Sequence, residues 1–231
     1  MVDIDTHTDA TETFIHEMTA EYRDRMKQLV DENYNDEYFR SVGDERAVIE
    51  REFPRQAWEE LYTGCLPPAR QLNLVYEQGE PFGRDRDIVI GLIKQIQDEA
   101  KHGRLISSLA ERVGVEADPI TWEAPYQEEL IGQVETAMNR DKPHLIAAGL
   151  QLSTEIMAAF MIRNLADYIE PAYPEIADTL RNDISADEGD HIHIGRLIGM
   201  RFATPADHAL MREIAEEKYE FTARTLRSLH T

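Results

Sequence analysis

The segments Asp98–His102 (DEAKH) and Asp187–His191 (DEGDH) repeat one pattern, Asp-Glu-x-x-His, in two distant parts of the chain. Around both segments, and along most of the sequence, apolar residues recur at steps of three and four, whereas period-two alternation is scarce. This periodicity predicts an all-α fold. Residues three apart share one face of a helix, so the Glu and the His of each segment can reach the same metal ion.

The repetition of this pattern exceeds what composition alone would produce. In a chain of 231 residues with this composition, Glu-x-x-His is expected about once by chance, and a required preceding Asp lowers the expectation to about 0.07. The sequence contains two such segments. We therefore interpret them as two halves of one site, and not as unrelated pairs of solvated side chains.

The most apolar stretch of the chain, Leu145–Ile162 (LIAAGLQLSTEIMAAFMI), contains one formal charge, Glu155. A helix that is apolar on nearly all sides is a buried helix. An ionised carboxylate in a protein core costs several kcal/mol unless it is paired, bound to a metal or protonated. Metal binding therefore explains Glu155, and an ion pair with Arg163, two turns further along, is the alternative.

Carboxylate sites in four-helix proteins combine two Glu-x-x-His helices with two helices that each supply one Glu. Glu155 suits the third helix. On the first helix Glu60 is preferred and Glu59 is second, since both leave room for a long hairpin to the second helix. Glu77 is excluded because it would leave only a very short hairpin before Glu99. The predicted metal ligands are Glu60, Glu99, His102, Glu155, Glu188 and His191.

The chemistry of this ligand set favours iron, with manganese as the alternative. Four carboxylates and two imidazoles form an oxygen-rich set without thiolates, which disfavours copper(I) and structural zinc. The single cysteine, Cys65, excludes any site that needs several cysteines. Glu99, Glu155 and Glu188 are the expected catalytic residues, because carboxylates can shift their mode of metal binding as the metal changes oxidation state.

Two further aspartates are predicted to support the histidine ligands. A metal-bound imidazole needs an acceptor for the N–H of its other ring nitrogen. Asp98 and Asp187 precede the two glutamates of the repeated pattern and could be these acceptors. We expect each to act across helices and not within its own helical turn, although the sequence leaves the pairing open.

Proline, glycine and cap residues divide the chain into helices with no obvious linker. We predict one domain, residues 1–231, with four central helices in a core bundle over about 54–201 and additional helices at both ends. The segment after the first helix, with Tyr34, Tyr38 and Phe39, is interpreted as a polar stretch. The predicted helices cover about 11–32, 54–76 with a break at Pro67–Pro68, 85–113, 125–139, 143–168, 175–201 and 204–229.

The charge balance restricts the partners and the location. The chain carries 45 Asp and Glu against 24 Lys and Arg, a formal net charge of −21. Because phosphate backbones require a basic face, nucleic acid is not an expected partner. An acidic surface with few lysines suggests a salt-rich, halophilic cytoplasm, where salt screens self-repulsion. With no visible secretory leader and with polar residues inside the most apolar stretch, we expect a cytoplasmic protein outside the membrane.

Two short motifs resemble one protein family. The segment Gln97–Gly103 (QDEAKHG) is similar to the Gln-Asp-Glu-Ala-Gly-His-Gly stretch in the catalytic subunits of phenylacetyl-CoA epoxidases. Gly64–Pro67 (GCLP) is similar to the Gly-Met-Leu-Pro that follows their first metal-binding Glu. In that family the Glu stands three residues before the Gly, a position that Leu61 occupies here, so Glu60 is one residue away. The resemblance covers about residues 59–201.

Through these motifs the chain resembles the ferritin-like di-iron carboxylate superfamily, and the resemblance implies a ferritin-like four-helix bundle with two iron ions. It also implies an oxygenase that reduces O2 with electrons from a reductase and oxidises a small organic substrate, such as an aromatic acyl-CoA in phenylacetate degradation. A helical partner subunit or a homo-oligomer would fit such a multicomponent monooxygenase. The alternatives are a ferritin-like protein that binds and oxidises iron, and a non-catalytic structural subunit of an oxygenase complex.

Overall fold

The computed structural model describes residues 4–117, 123–124 and 126–230, with side chains from residue 10 onward, and this part of the chain contains helices and no strand. The prediction of an all-α fold is therefore confirmed. The α-helices are α1 (Ile4–Asn33), α2 (Asp36–Val42), α3 (Glu45–Glu59), α4 (Leu66–Gln78), α5 (Arg86–Arg112), α6 (Gln127–Met138), α7 (Pro143–Gly149), α8 (Glu155–Ile169), α9 (Pro174–Thr179), α10 (Asp187–Phe202) and α11 (His208–Ser228).

Three π-helical segments join some of these helices end to end. They are π1 (Glu60–Gly64) between α3 and α4, π2 (Leu150–Thr154) between α7 and α8, and π3 (Leu180–Ile184) between α9 and α10. A π-helical turn contains more residues than an α-helical turn, so each segment shifts the register of the side chains that follow it. The predicted helices at 143–168 and 175–201 are therefore each two α-helices around a π-helical segment.

The first helix has the apolar stripe that its residue spacing predicts. All five side chains of the stripe are buried: Phe14, Met18, Tyr22, Met26 and Leu29. They recur at three- and four-residue steps, which places them on one face of α1. This face packs on α8, α10 and α11.

The segment between α1 and the central helices differs from its prediction as a polar stretch. It forms α2 and the first half of α3, and Tyr34, Tyr38 and Phe39 are fully buried there. The hydroxyl groups of both tyrosines donate to the buried carboxylate of Glu52, over 2.7 and 2.5 Å. Arg55 donates to the same carboxylate over 2.7 Å, so a fully compensated ion pair anchors these aromatic rings in the core.

The sequence predicts that a helix begins at Pro54, but the structure places Pro54 inside α3. The helix begins nine residues earlier, after Asp44, whose side chain accepts a hydrogen bond from the N–H of Ala47 over 2.9 Å. Such an N-cap satisfies a free backbone donor and fixes the start of the helix. Pro67 and Pro68 lie in the first turn of α4, where a missing N–H costs little, so the predicted break there is confirmed.

Six of the described helices pack around a common interior: α3, α4, α5, α7, α8 and α10. α5 packs against α3, π1 and α4 on one side and against α10 on the other. α10 in turn packs against α7, π2 and α8, while α4 contacts α7 and α3 contacts α8. The contacts therefore close a circuit, and α1 and α11 cover its outer side.

The stretch Pro143–Ile169 is long and apolar enough to cross a membrane by length and composition, and 67% of its most apolar window is buried inside the structure. Its apolar side chains pack against the neighbouring helices, as those of a core helix do. Within the described residues it is the one stretch of this kind.

Candidate metal centre

The six predicted ligands converge in the interior between the packed helices. Glu60 begins π1, Glu99 and His102 lie on α5, Glu155 begins α8, and the last two lie on α10. The side chain of Glu60 is 11% exposed, and the other five are buried. We call this set the carboxylate–histidine cluster; its members are Glu60, Glu99, His102, Glu155, Glu188 and His191.

The imidazole of His191 lies at the centre of one half of the cluster. Its Nδ1 atom is 3.1 Å from Oε1 of Glu99, 3.3 Å from Oε2 of Glu188 and 3.8 Å from Oε2 of Glu155. These carboxylates come from three different helices. One ring nitrogen thus faces three oxygens in the arrangement expected around a shared cation.

The imidazole of His102 faces the other half of the cluster. Its Nδ1 atom is 3.5 Å from Oε2 of Glu60, and the two rings of His102 and His191 lie with their centroids 6.2 Å apart. Candidate ligand atoms of Glu60, Glu99 and His102 all lie within 4.8 Å of one another, as do those of Glu99, Glu155 and His191. Glu99 belongs to both groups, so the geometry offers two adjacent ion positions with one shared carboxylate.

The outer ring nitrogens of both histidines face the aspartates of the opposite helix. Nε2 of His102 is 3.2 Å from Oδ2 of Asp187, and Nε2 of His191 is 3.4 Å from Oδ2 of Asp98. Lys94 donates to both aspartates, over 2.7 Å to Asp98 and 3.2 Å to Asp187. The cross-helix arrangement is the one expected of acceptors that direct Nδ1 toward a metal.

The structure distinguishes between the two carboxylates considered for the first helix. Glu60 faces His102, whereas Glu59 accepts a hydrogen bond from Arg55 over 2.9 Å. Leu61, at the position of the family ligand, is 37% exposed. Glu60 is therefore the residue of this segment that the fold brings to the cluster.

Arg163, the alternative partner for Glu155, does not pair with it. Its Nε donates to Oγ of Ser185 over 3.1 Å, and Arg163 is exposed whereas Glu155 is buried. Oε1 of Glu155 instead accepts from Nε2 of Gln95 over 2.9 Å. No Lys or Arg nitrogen of the described residues lies within 4.0 Å of the carboxylates of the cluster.

Several polar atoms of the cluster are buried without a hydrogen-bond partner. Among the described residues these include Nδ1 of both histidines, Oε1 of Glu99 and Oε2 of Glu188. A buried polar atom without a partner costs about 1–3 kcal/mol, so native structures seldom tolerate several together. Here Nδ1 of His191 faces the unpartnered oxygens of Glu99 and Glu188, and Nδ1 of His102 faces Glu60. A cation in each half of the cluster would satisfy these atoms.

The pKa shifts of the cluster residues also reflect a high density of buried negative charge. Burial and the nearby carboxylates of Glu155 and Glu60 raise the pKa of Glu99 well above its ordinary value. Burial and Glu155 likewise raise the pKa of Glu188. Burial opposes protonation of His191, but the surrounding carboxylates outweigh it and raise its pKa. The pKa of Glu155, by contrast, is lowered, because His191 outweighs the effect of burial. Glu99, Glu188 and His191 thus favour proton binding, and protons would compete with metal ions for the same atoms.

π-Helical segments lie beside three of the ligand-bearing positions. Glu60 is the first residue of π1, Glu155 directly follows π2, and Glu188 lies four residues after π3. Segments of this kind occur frequently at functional sites, because they re-aim side chains within an otherwise regular helix. At the end of π1, a Cβ on Gly64 would overlap the carboxylate of Glu99, so the glycine leaves the space that this side chain occupies.

A buried chain of glutamines, which the sequence analysis does not predict, ends at the cluster. Nε2 of Gln151 donates to Oε1 of Gln95 over 3.1 Å and to Oε1 of Gln71 over 2.6 Å, and Gln95 donates to Glu155. Each of the three amides is fully buried. The spacing held a signal, since Gln95 and Gln151 each stand four residues before a predicted ligand, on the same helix face.

A largely apolar cavity of about 410 Å³ lies between α6, α7, π2 and α11. Thr63 of π1 and Thr154 of π2 are in its wall, three residues after Glu60 and one before Glu155. The same two threonines line a smaller cavity of about 50 Å³, which also includes Met157. We call the larger one the α6–α11 cavity. Both cavities adjoin the segments that carry two of the proposed ligands.

The arrangement can thus hold two cations beside an apolar space, with the imidazoles fixed from the opposite helix. These features come from the chain's own geometry. Comparison of the chain with protein-family models, curated proteins and solved structures finds no significant match.

Proposed function

We propose that this protein is a di-iron carboxylate enzyme with a ferritin-like four-helix bundle, related to the oxygen-activating branch of that superfamily. The observation that carries the proposal is the convergence of four carboxylates and two imidazoles, contributed by π1, α5, α8 and α10, in one buried cluster. In such bundles two helices contribute Glu-x-x-His and two contribute one Glu. The closed packing circuit of the helices supports the same architecture.

The residues present fit a pair of divalent cations. Four glutamates carry a formal charge of −4, which two such ions neutralise, and both histidines present Nδ1 to the carboxylates. The oxygen-rich, thiol-free set is typical of iron, with manganese as the second choice. The shared position of Glu99 in both ligand groups supports two ions over one.

The one-residue departure from the family motif has a structural account. In the family the first Glu stands three residues before the glycine, whereas Glu60 stands four residues before Gly64. This interval coincides with π1, and a π-helical turn takes up an additional residue. Glu60 can therefore occupy the ligand position despite its shifted place in the sequence.

Bound iron would supply the chemistry, the reduction of O2 with electrons from a reductase and the transfer of one oxygen atom to an organic substrate. The chain's own groups prepare the site. Glu99 belongs to both candidate ligand groups, Glu155 and Glu188 face His191, and Gln95 orients Glu155, so these three carboxylates would hold the ions. Asp98 and Asp187 fix the histidine rings. The helices around the cluster exclude water from it.

The α6–α11 cavity favours substrate oxidation over iron storage. Its wall is mostly apolar, and its volume of about 410 Å³ falls in the range of about 300–1,000 Å³ that organic ligands occupy. Because Thr63 and Thr154 border it, a substrate there would lie beside the segments that carry Glu60 and Glu155. We propose this cavity as the substrate site. A helical partner subunit or a second copy of the chain could complete the enzyme.

The test is metal binding by a matched pair of variants. The wild-type protein, loaded anaerobically with Fe(II), should bind about two irons per chain and, after exposure to O2, show the absorption and Mössbauer signals of a coupled diferric centre. Glu60→Gln should reduce the stoichiometry, because a neutral amide replaces a charged ligand. Glu59→Gln, which changes the adjacent carboxylate, should leave it unchanged.

The results separate the competing functions. Uptake of many irons per chain into a mineral core would favour the ferritin-like iron-oxidising alternative. Absence of any bound transition metal in protein from iron-supplemented cells would favour the structural-subunit alternative and refute the di-iron proposal. Equal iron content in both variants and the wild type would remove Glu60 from the ligand set.

A further inference from the structure

A second cavity, of about 280 Å³, lies between α1, α8 and α10 and differs in charge from the rest of the protein. Three arginines line it, Arg23, Arg163 and Arg196, together with His193. Its lining contains no carboxylate, although Asp and Glu outnumber Lys and Arg by 45 to 24 in the chain. We call it the arginine pocket.

The positive charges of this pocket are not compensated by the protein. Among the described residues, no carboxylate oxygen lies within 4.0 Å of any of the three guanidinium groups. Arg163 donates to the hydroxyl of Ser185, and Arg196 donates to Nδ1 of His16. Nε of Arg196 is buried and has no hydrogen-bond partner in this part of the chain. Arg23 and Arg163 are exposed to solvent and Arg196 is half-buried. Guanidinium groups that line one pocket without anionic partners are accessible to an anion from solution.

The lining selects among anions. Planar guanidinium groups bind phosphate and carboxylate oxygens in pairs, but a phosphate monoester carries about 1.5 to 2 negative charges at neutral pH and balances several arginines better than one carboxylate. Thr19 and Ser185 add hydroxyl groups to the wall, and Ile156 and Phe160 give it an apolar side. The pocket therefore suits a phosphoryl group attached to an organic body.

We propose that the arginine pocket binds a dianionic phosphoryl group, carried by an organic phosphate monoester or present as free phosphate. This inference goes beyond the proposed oxygenase function and does not depend on it. Ile156 and Gly189, both in the pocket lining, directly follow Glu155 and Glu188. Consecutive helical residues point about 100° apart, so the pocket lies on the neighbouring faces of α8 and α10, beside the carboxylate–histidine cluster but separate from it.

Isothermal titration calorimetry with the full chain, at constant ionic strength, tests whether the arginine pocket binds a phosphoryl group. The probes are adenosine 5′-monophosphate, inorganic phosphate and uncharged adenosine. We expect the monophosphate to bind and adenosine not to bind. Arg163→Gln and Arg196→Gln should each weaken binding about tenfold or more, because each removes charged hydrogen bonds. Arg86→Gln, which removes an exposed cation of α5 outside the pocket, should leave affinity unchanged.

Conservative variants and metal removal separate this site from trivial causes. Arg163→Lys keeps the charge but loses the two-pronged geometry, so its affinity should fall between those of wild type and Arg163→Gln, and thermal melting verifies that each variant is folded. Tighter binding of the monophosphate than of phosphate would identify an organic ester, and equal affinities would identify free phosphate. The proposal is overturned if neither binds at about millimolar concentration or if both Gln variants bind as wild type does. It is also overturned if treatment with a chelator abolishes binding, because the ligand would then sit on the metal.

Discussion

The substitutions Asp187→Asn and Asp98→Asn should weaken metal binding without removing any proposed ligand. Oδ2 of Asp187 lies 3.2 Å from Nε2 of His102, and Oδ2 of Asp98 lies 3.4 Å from Nε2 of His191. Each carboxylate accepts the N–H that keeps the opposite ring nitrogen, Nδ1, turned toward the cluster. Asparagine fills the same space but removes the negative charge and one of the two acceptor oxygens.

The structure limits the size of this effect. Loss of an acceptor behind a metal-bound histidine lowers metal affinity by about 10- to 100-fold, or about 1.4–2.7 kcal/mol. The side chain of Asp187 is 23% exposed and that of Asp98 is 14% exposed, so water can replace more of the lost contact at Asp187. We therefore expect a loss of about tenfold for Asp187→Asn and a larger loss for Asp98→Asn.

Anaerobic competition of each variant against a chromophoric Fe(II) chelator measures these affinities. Asp190→Asn is the matched control, since its carboxylate lies 3.3 Å from Nζ of Lys94, the lysine shared with both other aspartates, but is 70% exposed and contacts neither histidine. If the control loses as much affinity as the other two variants, the effect is one of net charge alone. If Asp98→Asn and Asp187→Asn both bind iron as wild type does, the aspartates do not orient the histidines and the reasoning fails.

Three further outcomes follow from other parts of the structure. Gln151→Leu leaves two buried amide oxygens unpaired, on Gln71 and Gln95, and should lower the free energy of unfolding by about 1–3 kcal/mol for each, as measured in urea. The control Gln28→Leu, on the exposed face of α1, should change it by less than about 0.5 kcal/mol. Equal effects of the two substitutions would contradict the glutamine network. Burial alone would raise the pKa of Glu52, but its arginine partner and the two tyrosine hydroxyls lower this pKa in the folded protein. The ionised carboxylate therefore contributes its full stability above the pKa that Glu52 has in the unfolded chain, and this contribution is lost as the pH falls. Glu52→Gln should therefore be less stable than wild type at pH 7 by about 1–3 kcal/mol, with a difference that narrows below about pH 4, and a constant difference from pH 7 to pH 3 would refute this. Because the chain carries a net charge of −21, salt should stabilise it by screening self-repulsion. The melting temperature should rise between 0.01 and 0.15 M KCl, as the screening length falls from about 30 to about 8 Å. An unchanged melting temperature would show that self-repulsion does not limit the stability of the protein.

The helical fold and most of the cluster were accessible from sequence because both depend on local spacing. A period near 3.6 predicts helices directly, and the three-residue interval in Glu99–His102 and Glu188–His191 fixes the two side chains of each pair to one face. Glu155 stood out because a charge in an apolar helix requires compensation. None of these inferences needs to know how distant segments meet.

The identity of the proposed ligand on the first helix could not be decided in the same way. Glu59 and Glu60 are adjacent, and only the π-helical turn that begins at Glu60 decides which of them faces His102. A π-helical turn has no clear composition, since its hydrogen-bond pattern is imposed by the packing of the neighbouring helices. The family motif, with its glutamate one residue later, could not resolve the choice either.

Buried polar networks were the other feature hidden from composition. Tyr34 and Tyr38 lie among polar residues, yet both are fully buried because Glu52, fourteen or more residues away, accepts their hydroxyl protons. Gln95 and Gln151 are likewise polar in sequence and buried in the fold. Such residues are predicted to be at the surface unless their partners are known, and the partners come from other helices.

Glu52 and the carboxylate–histidine cluster, both buried, satisfy their charge in different ways, and the contrast supports the metal proposal. Glu52 is matched within the chain, by an ion pair with Arg55 and by hydrogen bonds from two tyrosines, so it needs nothing from outside. The carboxylate–histidine cluster has four carboxylates, no lysine or arginine nitrogen of the described residues within 4.0 Å of them, and several buried atoms without a hydrogen bond. The chain matches Glu52 with an arginine, but it offers the four carboxylates of the cluster two histidines and no arginine or lysine. This contrast is the one expected if cations complete the cluster, as we propose.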